Sequence, residues 1–115
     1  MKSYFRNLIV WQKAFLLSQK VYTITRDFPD FEKFALADQM RRASVSIASN
    51  IAEWNWRWTS ADYIRFLYIA KGSAMELITQ LLLAESFWYI SNAQEHVELA
   101  EEVIKMITTI IHNKS

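Results

Sequence analysis

Two residues constrain this chain more than any others: its single glycine, Gly72, and its single proline, Pro29, among 115 residues. A sheet must reverse direction every few residues, and its turns draw on Gly, Pro and Asn-Gly pairs. No stretch here alternates polar and apolar residues between such signals,. The chain therefore reads as all-α, with few and short connections. Its length fits one domain, residues 1–115, with one core and no room for a second,.

Periodicity places four helices. The first is expected from about Phe5 to Arg26 and carries two apolar stripes. Leu8, Trp11, Phe15 and Tyr22 form one, and Val10, Ala14, Leu17, Val21 and Ile24 the other,. Asp27, Phe28, Pro29 and Asp30 break it, with Asp30 placed to cap the next helix,. The second runs from about Phe31 to a point between Glu53 and Trp58. Met40, Ala43, Ile47, Ile51, Trp54 and Trp58 share one side of it. Arg42, Ser46, Ser49, Asn50, Glu53 and Arg57 share another, which is too rich in Ser and Asn for an ordinary solvated face,.

Thr59 with Asp62 partly matches a capping box and opens a third helix ending near 88–90,. Gly72 lies in its middle, where it costs roughly 1 kcal/mol relative to Ala, and the spacing predicts close approach of a neighbouring helix there,. Ser91 with Gln94 makes a full capping box for the fourth helix. That helix again has two stripes: Val97, Ala100, Ile104, Ile107 and Ile111, beside Leu99, Val103, Met106 and Ile110,. Four helices joined by three short connections give an antiparallel up-down-up-down bundle.

Composition adds the expectation of self-association. Hydrophobic residues are 52% and aromatics 15% of the chain, generous for a small monomer, and the doubled stripes of the first and fourth helices call for cover by another copy,. With no cysteine there is no disulfide framework or thiolate metal site, and the expected location is cytoplasmic,. The N-terminal segment is interrupted by Arg6, Asn7, Gln12 and Lys13, so it reads as an amphipathic helix rather than a signal sequence or membrane span,.

Net charge is +1, but residues 1–57 hold nine Lys/Arg against five Asp/Glu, whereas residues 58–115 hold four against seven. A mildly basic N-terminal half admits association with RNA or DNA through Arg6, Lys13, Lys20, Arg41 and Arg57, acting as phosphate contacts with little base preference. The other class is a structural or protein-interaction module that binds no nucleic acid. No catalytic grouping is visible. Neither His96 nor His112 follows a Glu by three residues, the two lie too far apart to share a metal ion, and one glycine cannot build a phosphate loop,. The expectation is no enzyme, no metal and no cofactor. The polar residues Arg42, Ser46, Asn50 and Glu53 of the second helix and Ser73, Glu76 and Gln80 of the third recur at three to four residues. They predict a register-fixing network, with Ser46 and Asn50 meeting Ser73 and Arg42 approaching Glu76.

VWQKA at 10–14, the FP turn at 28–29, LADQMRRASVSIASNIAE at 36–53, Arg57, YIRFLYIAKGS at 63–73 and ELITQL at 76–81 resemble the four-helix bundle proteins encoded in intervening sequences of bacterial 23S ribosomal RNA genes. That family includes the accessory variability determinant of diversity-generating retroelements. The resemblance covers nearly the whole chain. It implies a homopentameric bundle protein without enzymatic activity, which in the retroelement branch is a basic barrel associated with nucleic acid and a reverse transcriptase. The departure is at 54–56. Where the family usually reads Glu-Gly-x-Gly-Arg, this chain reads Glu53, Trp54, Asn55, Trp56, Arg57, a double replacement of the kind engineering or natural divergence can produce. Tryptophan is strained where glycine would take positive φ. Either the turn is rebuilt nearer Trp58 and Thr59, or the second and third helices run on as one rod, each half completing a bundle with another copy.

Overall fold

The structure, a computed structural model, describes residues 4–57 and 63–114. Its four long helices are α1 (Ile9–Thr25), α2 (Leu36–Trp56), α3 (Arg65–Ser86) and α4 (Gln94–Lys114). No strand occurs among the described residues. Short 3-10 turns at Phe5–Asn7 and Asp30–Glu32 precede α1 and α2.

Neighbouring helices run antiparallel. Along the α1–α4 seam Lys13 pairs with Glu102 and Lys20 with Glu95, so one number rises as the other falls. Ser18 against Ser44 and Thr25 against Arg41 fix the α1–α2 seam in the same sense. α1 packs on α2 and α4, and α3 packs on the same two, which makes α1 and α3 diagonal partners in an up-down-up-down bundle 46 × 22 × 21 Å in extent.

Each helix sends one stripe to the centre. Leu17 and Val21 of α1, Met40, Ile47 and Ile51 of α2, Leu67, Leu77 and Leu81 of α3, and Val103 and Ile107 of α4 are fully buried. Alanines at 14, 43, 70, 74, 84 and 100 are also buried and allow the helix axes to approach closely,.

The helix ends differ from expectation because different side chains reach the free amides. Asp30 caps nothing. Glu32 Oε1 instead accepts from the Leu36 amide at 3.3 Å. The α4 start uses Asn92 Oδ1, which accepts from the Gln94 amide at 2.8 Å, and Glu85 Oε2, which accepts from the Ala93 amide at 3.0 Å; the predicted Ser91–Gln94 box is not formed. The Thr59–Asp62 cap falls outside the described residues. α3 ends in a Schellman arrangement, with Tyr89 N donating to Ala84 O and Trp88 N to Glu85 O, and with Trp88 in the left-handed region at φ 65,.

The long rod is excluded. Ser46 Oγ of α2 lies 2.9 Å from Ser73 Oγ of α3, so the chain folds back on itself. α2 nevertheless continues through both replaced glycine positions and stops at Arg57. Trp54 joins the buried stripe at 4% exposure, while Trp56, two residues on and across the helix, is 78% exposed. A helical backbone accepts tryptophan without the strain it would meet at positive φ.

Candidate functional site

The five basic residues expected to contact phosphate do not form one track. Arg6 precedes α1 and sits 5.6 Å from the Tyr4 ring centroid. Lys13 and Lys20 lie in the α1–α4 seam, each engaged by a glutamate of α4. Arg41 lies in the α1–α2 seam, where its Nε donates to Thr25 Oγ1 at 2.9 Å and its guanidinium covers Tyr22 at 5.4 Å. Arg57 terminates α2 and is held by Glu53 at 2.8 Å. Three of the five cations are thus spent on ion pairs, and the set is distributed over different seams and both ends of the bundle.

The α2–α3 polar residues come together only in part. Ser46 and Ser73 share a hydrogen bond, and Asn50 Nδ2 donates to Ser46 O at 2.8 Å and to Ser46 Oγ at 3.1 Å. The expected Arg42–Glu76 pair is absent. Arg42 Nε instead donates to Asp38 Oδ2 one turn earlier at 2.9 Å, with its side chain 80% exposed, because α2 turns this position to solvent rather than toward α3. Glu53 is drawn to Arg57 in the same one-turn fashion. Gln80 is buried away from the serines, its Oε1 without a hydrogen-bond partner.

No group of three or more His, Asp or Glu side chains capable of holding a metal occurs among the described residues. A compact titratable cluster, Lys20, Glu95 and His96, borders a shallow α1–α4 groove of about 260 Å³. Lys20 donates to Glu95 and holds its carboxyl below the usual range; burial lowers the His96 pKa, and His96 Nδ1 is buried without a hydrogen-bond partner. This cluster ties α4 to α1. The apolar groove at the other end of the same seam, about 400 Å³ between Leu8, Ile9, Met106 and Ile110, has Lys105 as its one ionisable lining residue and no carboxylate or imidazole beside it.

What the bundle presents outward is more informative. Ile9, Phe15, Leu16 and Tyr22 are exposed along α1, separated by the uncharged Gln12, Gln19 and Thr23, with Trp11 stacked on Phe15 at 5.0 Å. Along α3, Tyr68, Ile69, Met75, Leu82 and Leu83 are exposed on one stripe around Gly72, with Glu76 as its single carboxylate. Gly72 does not serve a contact within the chain: a Cβ placed on it would meet no atom within 4 Å. The second stripe of α4 also differs from expectation. Val103 is buried and Leu99, Met106 and Ile110 pack against the core, so that helix needs no further cover.

Sequence reasoning missed the α3 stripe, although a signal was present. Arg65–Ser86 contains an 18-residue window of mean hydropathy 1.2, only 33% buried, and a helix apolar on every side asks for neighbours on every side,. By length and composition this one helix could cross a membrane; here it is an antiparallel member of the bundle. A second missed feature is an aromatic group at the end formed by the α1–α2 and α3–α4 connections, where Phe31, Phe34, Phe87 and Trp88 are all exposed.

With this geometry in place, comparison with known proteins gives a consistent relationship. The model of the 23S rRNA-intervening sequence protein family matches residues 6–109. No curated protein matches the sequence. Among solved structures, a protein of unknown function from the S23 ribosomal protein family of Bacteroides thetaiotaomicron VPI-5482 superposes with a TM-score of 0.82 at 25% identity, over 90% of this chain and 96% of that one.

Proposed function

The chain belongs to the 23S rRNA-intervening sequence protein family, and from that premise we propose that it is a non-enzymatic helical scaffold that assembles with copies of itself and acts through protein contacts. One observation carries the reading: the outward apolar residues are concentrated on α1 and α3, the two diagonal helices. A two-fold contact through either face would leave the opposite one in water. A head-to-tail contact, with the α3 face of one copy on the α1 face of the next, covers both and closes into a ring where the rotation per copy permits. Five copies is the number that the family resemblance implies, and a pentameric ring is the form we propose.

Association with RNA or DNA has less support, since Lys13, Lys20 and Arg57 are already paired with glutamates. Sedimentation velocity at micromolar concentration tests assembly, with species several times the 13.6 kDa chain expected and a clean monomer contradicting it. Filter binding of structured RNA and duplex DNA at two salt concentrations tests the other half. Little retention is expected; strong retention at low salt that falls steeply as salt rises would restore the nucleic-acid reading.

A further inference from the structure

We infer that the bundle end built from the α1–α2 and α3–α4 connections is a docking surface for a segment of a partner protein that is both apolar and cationic. Phe31 is 76% exposed, Phe34 90%, Phe87 50% and Trp88 90%. Bare rings grouped at one end of a small domain mark an interaction site far more often than single exposed apolar residues do.

Phe31 and Phe87 are held from beneath, and Phe34 and Trp88 follow in the same two connections. The Tyr89 ring lies 5.2 Å from Phe28, 5.6 Å from Phe87 and 6.3 Å from Phe31, and its hydroxyl donates to Glu32 Oε2 at 2.7 Å, tying one connection to the other. Trp88 occupies the left-handed position of the Schellman turn, where glycine would fit without cost,. A tryptophan held there with nine-tenths of its surface in water gives the fold nothing in return, and such local strain accumulates where surfaces are used.

Charge specifies the occupant. Asp27, Asp30, Glu32 and Glu85 lie in or beside the two connections against Arg26 and Lys33; none of these six side chains forms an ion pair, and Glu32 and Glu85 accept only neutral donors. Aromatic faces attract cations as well, so Lys or Arg interleaved with apolar side chains meets complementary chemistry, while phosphate is repelled. The surface lies across the long axis of the bundle, so side-to-side packing through α1 and α3 leaves it open.

The test uses the full chain and two fluorescein-labelled 18-residue amphipathic peptides, one built from Lys and Leu and the other from Glu and Leu, read by anisotropy. The Lys/Leu peptide is expected to bind with a Kd on the order of 10 μM. Combined Trp88→Gly and Phe34→Ser replacement should weaken it at least about tenfold, while the thermal melt stays level or rises because glycine suits φ 65. The Glu/Leu peptide should not bind. Equal binding to wild type and variant, no binding up to about 1 mM, or equal binding of both peptides would overturn the inference. So would loss of oligomer mass in the variant, which would give the surface to a second copy, or Trp88-dependent cosedimentation with phosphatidylserine vesicles, which would give it to a membrane. Peptide capture by a chain that sediments as a monomer would refute the proposed assembly and leave this surface standing.

Discussion

The outer sides of α1 and α3 differ in kind from those of α2 and α4. α2 shows water Arg42, Ser49 and Glu53 with Val45 and the terminal Trp56 as its exposed apolar residues, and α4 shows Glu98, Glu101, Lys105 and Thr108, whereas α1 and α3 show Phe15, Leu16, Tyr68, Ile69, Met75 and Leu82. All four helices bury a comparable inner stripe, so the demands of the core do not explain the contrast. A bundle built only to stand alone would make its four outer sides alike, because charged residues cost the fold little there. The asymmetry points to something beyond the single chain, and the diagonal placement of the two apolar sides makes head-to-tail association the economical way to cover both.

The largest effect expected from a single replacement separates the two sides of one helix. Leu77 faces the core and Leu82, five residues on, faces out. Leu77→Ala should cost about 2–5 kcal/mol in a denaturant melt. Leu82→Ala should change the melt of the dilute chain by no more than about 0.5 kcal/mol. A Leu82→Ala loss that grows with protein concentration would show another copy covering that side.

A smaller effect is expected at Gly72, which meets no neighbour in its own chain. Gly72→Ala should stabilise the dilute chain by roughly 1 kcal/mol through helix propensity. A destabilisation there would mean the α3 stripe is already in close contact. The control from the polar sides is smaller still. Arg42→Ala removes an exposed one-turn pair with Asp38 and should cost about 0–1 kcal/mol, with no coupling to Glu76→Ala in a double-mutant cycle,.

The α1–α4 seam gives a pH test. Burial lowers the His96 pKa below its ordinary 6.5, so the unfolded chain binds this proton more readily than the folded one,. Above the unfolded value neither state is protonated and the residue contributes no slope. As pH falls from about 6.5 toward the lowered folded pKa, stability is lost. Glu95, lowered by Lys20, contributes stability at higher pH that is lost from about 4.5 downward, which is the same direction further into acid,. Melts between pH 7 and 5 should therefore show declining stability, and His96→Gln should flatten that decline.

Much of this fold is legible in the sequence. Scarcity of Gly and Pro, with the 3.6-residue stripes, placed four helices and their antiparallel order, and the α2 stripe from Met40 to Trp54 is buried as its spacing requires. Ser46 meets Ser73 where periodicity aligned them, whereas Asn50 donates back to Ser46 on its own helix. Cap residues were less legible because several acceptors stand within reach of each helix start. Glu32 and Glu85 reach amides four and eight residues away, which short motifs do not anticipate. Arg42 went to Asp38 because a partner one turn away on the same helix needs no inter-helix register. The α3 stripe escaped notice because an all-round apolar helix looks like a central one until its neighbours are known.

The most direct test is sedimentation velocity of three proteins at equal micromolar concentration: wild type, Met75→Lys with Leu82→Lys on the α3 stripe, and Ser49→Lys with Thr108→Lys on the polar sides of α2 and α4. The account predicts an oligomer for wild type and for the α2/α4 variant. The α3 variant should fall to the 13.6 kDa monomer with its helical circular dichroism intact. A monomeric wild type, or an α3 variant that assembles as well as the α2/α4 control, would contradict the claim that the diagonal apolar faces are an assembly surface.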